Sequence, residues 1–310
     1  MEKIITIIGP TASGKTSFAV KLSKKINGEI ISLDSRQIYQ LMPIGTAQPS
    51  IEEMDGINHH LIGITSPYET VSAGNYAQLV KDKVIAIRKN KKTPIICGGA
   101  GLYYRAIKDG IFEKSSTDIG LREELEKIYD ANPFSLMERL IKVDSQYAKI
   151  VHINNKKRLV RALEIFDSTG IAPSEHFNNQ INDYSKNLDL YTIRLNWRRN
   201  NLINRINSRL EQMLAAGWVD EVKFLLEMQK QSSKPFPSLN SIGYQQIQNY
   251  LYGEITFDKM KENIKIKTRQ FAKRQNQWFN NEDIELVVQM EELIIDDIIE
   301  ILYDIFRVMP

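Results

Sequence analysis

Residues 4–16 read Ile4-Ile5-Thr6-Ile7-Ile8-Gly9-Pro10-Thr11-Ala12-Ser13-Gly14-Lys15-Thr16, a strand signal running into a glycine loop. The unbroken β-branched run Ile4–Ile8 suits a strand buried on both faces of a parallel sheet. Gly9-Pro10-Thr11-Ala12-Ser13-Gly14-Lys15-Thr16 matches G-x-x-x-x-G-K-[ST]. Residues 16–25 then place Phe18, Ala19, Leu22 and Ile26 on one helical face. Strand, glycine loop and helix in that order form a P-loop. Its backbone N–H groups curl around phosphate oxygens at a helix N-terminus, Lys15 reaches the outer phosphate, and the Thr16 hydroxyl can ligate Mg²⁺. The loop alone does not say whether those phosphates belong to ATP.

Working outward, a second strand over 29–33 ends at Asp34, and a third over 94–97 ends in Gly98-Gly99 after a helix over 76–88. Strands alternating with helices predict an α/β fold, a P-loop NTPase-like parallel sheet core covered on both faces. In such sheets ligands bind beyond the carboxyl ends of the strands. After residue 113 the pattern turns helical, over 121–129 and 134–143, which predicts a helical insertion domain at 114–181 within a core of 1–113 and 182–310. One further strand over 190–195 precedes a helical C-terminal region over 203–215, 219–229, 245–252 and 257–280. Acids spaced through 293–308 make that apolar stretch an amphipathic helix.

With 310 residues, one or two domains are expected, and the net charge of +3 does not by itself demand a polyanionic partner. The lone Cys97 excludes an internal disulfide or a cysteine zinc cage, suits a reducing compartment, and reads as a small core residue. No apolar run has the length of a signal sequence or membrane span, so a soluble cytoplasmic protein is expected. His59, His60, His152 and His176 lack metal-ligand spacing.

Asp34, just past a strand end beside the P-loop, suits a general base or magnesium ligand, and equally the N-cap of a following helix. Neither a second magnesium-binding strand end nor an Asn-Lys-x-Asp guanine reader is present, which argues against ordinary NTPases. Lys157, Arg158 and Arg161 lie beside the apolar positions Leu159, Leu163 and Phe166 of one helix. Lys265, Lys267, Arg269, Lys273 and Arg274 run without an acid, interleaved with Phe271, Trp278 and Phe279. That stretch fits a nucleic-acid backbone footprint with its aromatics turned into the core. Arg205 and Arg209, four apart, fit either a pyrophosphate clamp, an RNA contact or a solvent-facing pair.

Assembled, these residues resemble the tRNA dimethylallyltransferase family over nearly the whole chain. The marks are the P-loop, Asp34-Ser35-Arg36-Gln37-Ile38-Tyr39, Ile44-Gly45-Thr46-Ala47, His59-His60-Leu61-Ile62, Gly98 to Tyr104, Arg158 to Glu164, Ser241-Ile242-Gly243-Tyr244 and Thr268 to Gln275. The resemblance implies transfer of a dimethylallyl group from dimethylallyl pyrophosphate to the N6 amine of the adenosine 3′-adjacent to the anticodon. It implies Mg²⁺ as cofactor, held near Thr16, and a monomer whose insertion embraces the tRNA anticodon stem-loop. Asp34, Lys15, Thr16 and Arg205 would be catalytic. Asp34, Ser35, Arg36, Gln37 and Ala100 would meet the tRNA near the target base. Arg122, Lys157, Arg158, Leu159, Val160 and Arg161 would hold it from the insertion, and Lys273 and Arg274 from the C-terminal region. The chain departs from the family pattern at Ala100, where a threonine is usual, at Ile153 and Asn155 in the segment His152-Ile153-Asn154-Asn155, where His-Pro-Asn-Asp is usual, and at Asn75, where an acid is usual. Competing expectations are a small-molecule or nucleotide P-loop kinase, an enzyme prenylating free adenine nucleotides, and a tRNA-binding paralogue with a weakened site.

Overall fold

The β-branched run of residues 4–8 forms β1 (Ile4–Ile8), buried at every position. In this computed structural model residues 3–110, 119–175, 188–232, 234–292 and 294–308 are described. The other strands are β2 (Gly28–Leu33), β3 (His59–His60), β4 (Thr93–Gly98), β5 (Leu190–Asn196) and β6 (Leu286–Gln289). They form one sheet in the order β3-β2-β4-β1-β5-β6, with every neighbouring pair parallel. Ile8 pairs with Gly98 on one side and Arg194 on the other, and Leu33 pairs with Gly98. The carboxyl ends of β1, β2, β4 and β5 therefore lie on one edge, where their loops converge. The edge strands β3 and β6 went unread in the sequence because two residues, and a short stretch next to charges, carry too little period-2 signal.

The helices α1 (Lys15–Ile26), α2 (Ile51–Met54), α3 (Ala73–Lys89) and α4 (Gly101–Lys108) belong to the first half of the core. α9 (Arg199–Ala215), α10 (Trp218–Ser232), α11 (Tyr244–Leu251), α12 (Phe257–Phe279) and α13 (Ile295–Val308) follow β5. One cluster joins sheet and helices: Ile5, Ile7 and Ile95 from strands, Phe18 and Leu22 from α1, Ile298 and Leu302 from α13. Among the described residues no helix is long and apolar enough to cross a membrane.

The chain divides into two compact units, Met1–Lys108 with Leu188–Pro310, and Asp109–Asn187. Residues 114 and 181, the insertion limits read from the sequence, and His176 lie outside the described residues. The smaller unit holds α5 (Ile119–Ala131), α6 (Pro133–Val143), α7 (Ser145–Ala148) and α8 (Lys156–Thr169). Its core is Leu125, Leu136, Leu140, Leu159, Val160 and Leu163. Leu159 and Val160, expected in the segment that holds tRNA, are 0% and 2% exposed, so their side chains serve this core. α8 packs on α5 and α6 together, so adjacent positions both turn inward. Glu164 is fully buried, and Arg122 and Arg161 reach it at 2.7 and 2.9 Å. Those two guanidiniums neutralise a carboxylate that could not remain charged alone in an apolar core. Lys157 and Arg158 stay exposed.

Candidate functional site

The P-loop follows β1 with three left-handed or glycine-only turns of backbone. A Cβ on Gly9 would lie 2.7 Å from the Leu195 carbonyl oxygen, so only glycine fits between β1 and β5. Gly14 has φ +86°, and Ala12 takes φ +63° despite its side chain. Backbone of that kind persists only where neighbours hold it. Those neighbours come from far along the chain. Arg205 Nε donates to the Ala12 carbonyl at 2.7 Å, and Trp197 Nε1 to that of Ser13 at 2.9 Å. Gln275 accepts from the Thr11 N–H at 2.8 Å and donates to the Gly99 carbonyl at 2.9 Å, tying the P-loop to the loop after β4. Arg209 Nη1 lies 3.4 Å from the Thr11 hydroxyl.

Lys15 folds back on its own loop, donating to the carbonyls of Gly9 at 3.0 Å and Pro10 at 2.7 Å. Burial lowers its pKa from 10.5 to about 8, and the nearby Arg209 pulls the same way. Burial also lowers the pKa of Arg209. Cys97 packs against the core, as its sequence setting predicts, and also forms part of the cavity wall beside Lys15, where burial pushes its thiol up to about 12 and leaves it a poor nucleophile.

Two cavities meet here. The first, about 440 Å³, is walled by the P-loop, Lys15, Thr16, Asp34, Arg205 and Arg209. The second, about 600 Å³, is largely apolar, walled by Leu102, Tyr103, Ile206, Met213, Trp218 and Trp278 among others. Thr11, Ala12, Asp34, Thr46, Arg209, Phe271 and Gln275 line both. Asp34 stands at that junction. Its Oδ1 accepts from the N–H groups of Arg36 at 2.8 Å and Gln37 at 3.3 Å. Residues 35–38 form a turn, not a helix, so the N-cap expectation is corrected: the carboxylate caps a turn and keeps Oδ2 for the cavity.

Ser35, Arg36 and Ala100 line the apolar cavity, whereas Gln37 lines the polar one and ties its amide to the Ala47 carbonyl at 2.8 Å. The loop carrying Gly45 is fixed by Glu221, whose carboxylate accepts from Ile44 N at 2.7 Å, Gly45 N at 2.9 Å and the Tyr244 hydroxyl at 2.6 Å. Gly101 lies where a Cβ would stand 2.5 Å from Trp278, so glycine lets that indole approach. Phe279 is core, fully buried. Phe271 and Trp278, expected beside it, line the apolar cavity instead, because the face of α12 they share turns toward α9 and the P-loop. Lys273 is exposed, and Arg274 reaches the cavity rim. His60 pairs with the buried Glu29 at 2.7 Å, and no metal-holding group of His, Cys, Asp or Glu occurs among the described residues.

The family model described as IPP transferase matches residues 37–282. The tRNA dimethylallyltransferase of Petrotoga mobilis is 38% identical over 303 residues, covering 96% of this chain and 99% of that protein. This chain belongs to the IPP transferase family. Similar too is the tRNA dimethylallyltransferase of Bacillus licheniformis, 39% identical over 284 residues, with 90% of this chain and 88% of that protein covered. Among solved structures, the full-length tRNA isopentenylpyrophosphate transferase of Bacillus halodurans superposes with a TM-score of 0.72 at 34% identity, over 99% and 96% of the two chains. A eukaryotic dimethylallyltransferase acting on tRNA superposes with a TM-score of 0.86 at 26% identity, over 100% of this chain and 81% of that one. As an IPP transferase family member the chain is a P-loop-like α/β protein built on a parallel sheet. The family match spans Asn240, Ser241, Phe271 and Trp278 of the apolar cavity, while the P-loop precedes it and is covered by the full-length relatives.

Sequence reasoning missed Gln275 as the bridge between two loops, and for Arg209 left open a pyrophosphate clamp, an RNA contact or a solvent-facing position. Gln275 carried no signal except its place in the segment Thr268 to Gln275. Arg209 had one, its spacing of four from Arg205.

Proposed function

We propose that this chain transfers the dimethylallyl group of dimethylallyl pyrophosphate to the N6 amine of the adenosine 3′-adjacent to the anticodon in tRNA. The observation that carries this reading is the pairing of a cationic P-loop cavity with an apolar, aromatic-walled one, joined at Asp34. A pyrophosphate attached to a short hydrocarbon chain fits both halves at once. A kinase would want a polar acceptor pocket next to its phosphates. The names borne by the relatives support dimethylallyl transfer to tRNA in general.

In the proposed reaction the N6 lone pair of the adenine forms a bond to the allylic carbon while the bond from that carbon to oxygen breaks. Pyrophosphate leaves with the electron pair, and the N6 proton passes to Oδ2 of Asp34. Oδ1, held by two backbone N–H groups, fixes the carboxylate for that transfer. The loop amides, Lys15, Arg205 and Arg209 take up the charge that grows on the departing oxygens. Lys15 would exchange its bonds to Gly9 and Pro10 for a phosphate. Thr16 offers a hard hydroxyl oxygen on the wall of the P-loop cavity and would hold a Mg²⁺ there. When bound there it supplies charge neutralisation for the leaving pyrophosphate.

A base inside an anticodon stack must swing out to reach the apolar cavity. Ser35, Arg36 and Ala100 then stand near it. Lys157 and Arg158 of the helical unit, with Lys273 and Arg274, are the exposed cations suited to RNA phosphates. Incubation with Mg²⁺, dimethylallyl pyrophosphate and unmodified tRNA, followed by digestion and mass spectrometry, tests the reading. Prenylated adenosine in tRNA and not in free AMP is expected, with Asp34→Asn slowed about 10²-fold or more. Phosphorylated product from ATP instead would return the protein to the kinase reading.

A further inference from the structure

We propose that Trp197 is the positioning residue that sets the P-loop and Arg205 in their working geometry, an inference resting on the pyrophosphate-dependent reading above. Because β5 runs parallel to β1 with Arg194 opposite Ile8, the chain leaving β5 travels beside the P-loop. Trp197 is the first residue past β5. Its indole does two things from one rigid plane. Nε1 donates to the Ser13 carbonyl at 2.9 Å, and the ring face carries the Arg205 guanidinium 4.4 Å from its centroid. Arg205 in turn donates to the Ala12 carbonyl at 2.7 Å.

Two successive loop carbonyls are thus held by two side chains that are stacked on each other. The peptide is planar and trans, so pinning the Ser13 carbonyl toward Trp197 sends the Gly14 N–H to the opposite side. This is the segment where Ala12 and Gly14 hold φ values of +63° and +86°. An external anchor is what such backbone requires to stay fixed when no anion is bound. The ring itself is held, packed with Leu202, Ile206 and Ala272. Only tryptophan joins a cation platform to an N–H donor at this place. Phenylalanine keeps the platform and loses the donor.

The test uses Trp197→Phe and Trp197→Leu in the full chain. Calorimetry with inorganic pyrophosphate and Mg²⁺ reads the loop directly, and steady-state kinetics with dimethylallyl pyrophosphate and tRNA read turnover. Trp197→Phe should weaken pyrophosphate binding, and raise KM for the prenyl donor, by about 3- to 10-fold, with KM for tRNA unchanged. Trp197→Leu should also lower kcat by about tenfold, and Arg205→Lys should cost less in that background than in the wild type, because the two residues act together. Wild-type pyrophosphate binding in both variants would overturn the proposal. So would losses shared equally by both substrates and matched by a fall in unfolding temperature, since that marks a merely structural residue. If the wild-type protein transfers no prenyl group, the calorimetric arm still separates the fate of Trp197 from that of the reaction.

Discussion

Burying the Lys15 ammonium costs the folded chain stability. Unfolded, its amine titrates near 10.5; folded, near 8. Between those values the unfolded chain binds the extra proton, so stability rises with pH across that window, and the destabilisation is complete below pH 8. Lys15→Met should therefore stabilise the protein at pH 7 by about 2 to 3 kcal/mol, with the gain shrinking toward pH 10. Thermal unfolding at both pH values checks this, and the variant should no longer bind pyrophosphate. In the wild type, KM for the prenyl donor should climb as pH passes 8 and the amine loses its charge. Ala100 marks the other residue-scale test. It lines the apolar cavity beside Asp34, where the family resemblance leads one to expect a threonine. Ala100→Thr should raise kcat by about 3- to 10-fold through one added hydrogen bond to the substrate, read in the tRNA prenylation assay.

At the scale of elements, α12 decides how the site is assembled. Met260, Ile264, Ala272 and Phe279 are buried along it. Thr268, Phe271, Arg274, Gln275 and Trp278 line the apolar cavity. Gln275 projects from this helix to join the P-loop at Thr11 with the turn at Gly99. Gln275→Leu keeps the volume and strands the part-buried Thr11 N–H and the Gly99 carbonyl. It should cost about 2 to 4 kcal/mol in denaturant unfolding and weaken pyrophosphate binding, whereas Gln275→Glu, which still accepts from Thr11, should retain part of both. The helical period of α12 was legible in the sequence. Which of its faces meets the core and which the cavity was not, because periodicity reports that two faces differ and leaves open what packs on each. Trp278 shows the difference: seven residues from Phe271, it reads as core until Gly101 is found beneath its ring.

Across the whole molecule, charge and core divide the work of the helical unit. Lys157 and Arg158 are exposed on α8, while Leu159 and Val160 beside them fill its core. Lys157→Ala with Arg158→Ala should weaken tRNA binding to a similar degree for every tRNA tested and reduce the slope of log K against log salt by about 1 to 2. Leu159→Ala should instead destabilise the fold by about 2 to 5 kcal/mol, leaving the salt slope as it was. The P-loop, the placement of Asp34 and the glycines at strand ends, the alternation that makes a parallel sheet, and the helical stretch interrupting it are all legible in the chain of residues. Each of these is written in a few consecutive residues, through steric freedom, period and turn chemistry. Only long-range packing brings Gln275, Trp197 and Arg205 onto residues 11–13. It decides also that Phe271 and Trp278 face a cavity and that Arg122 and Arg161 neutralise a buried acid. Those outcomes depend on which strand lies beside which, here β5 next to β1 and β1 next to β4, and strand order is fixed by the packing of the whole sheet and its helices rather than by any local run of residues.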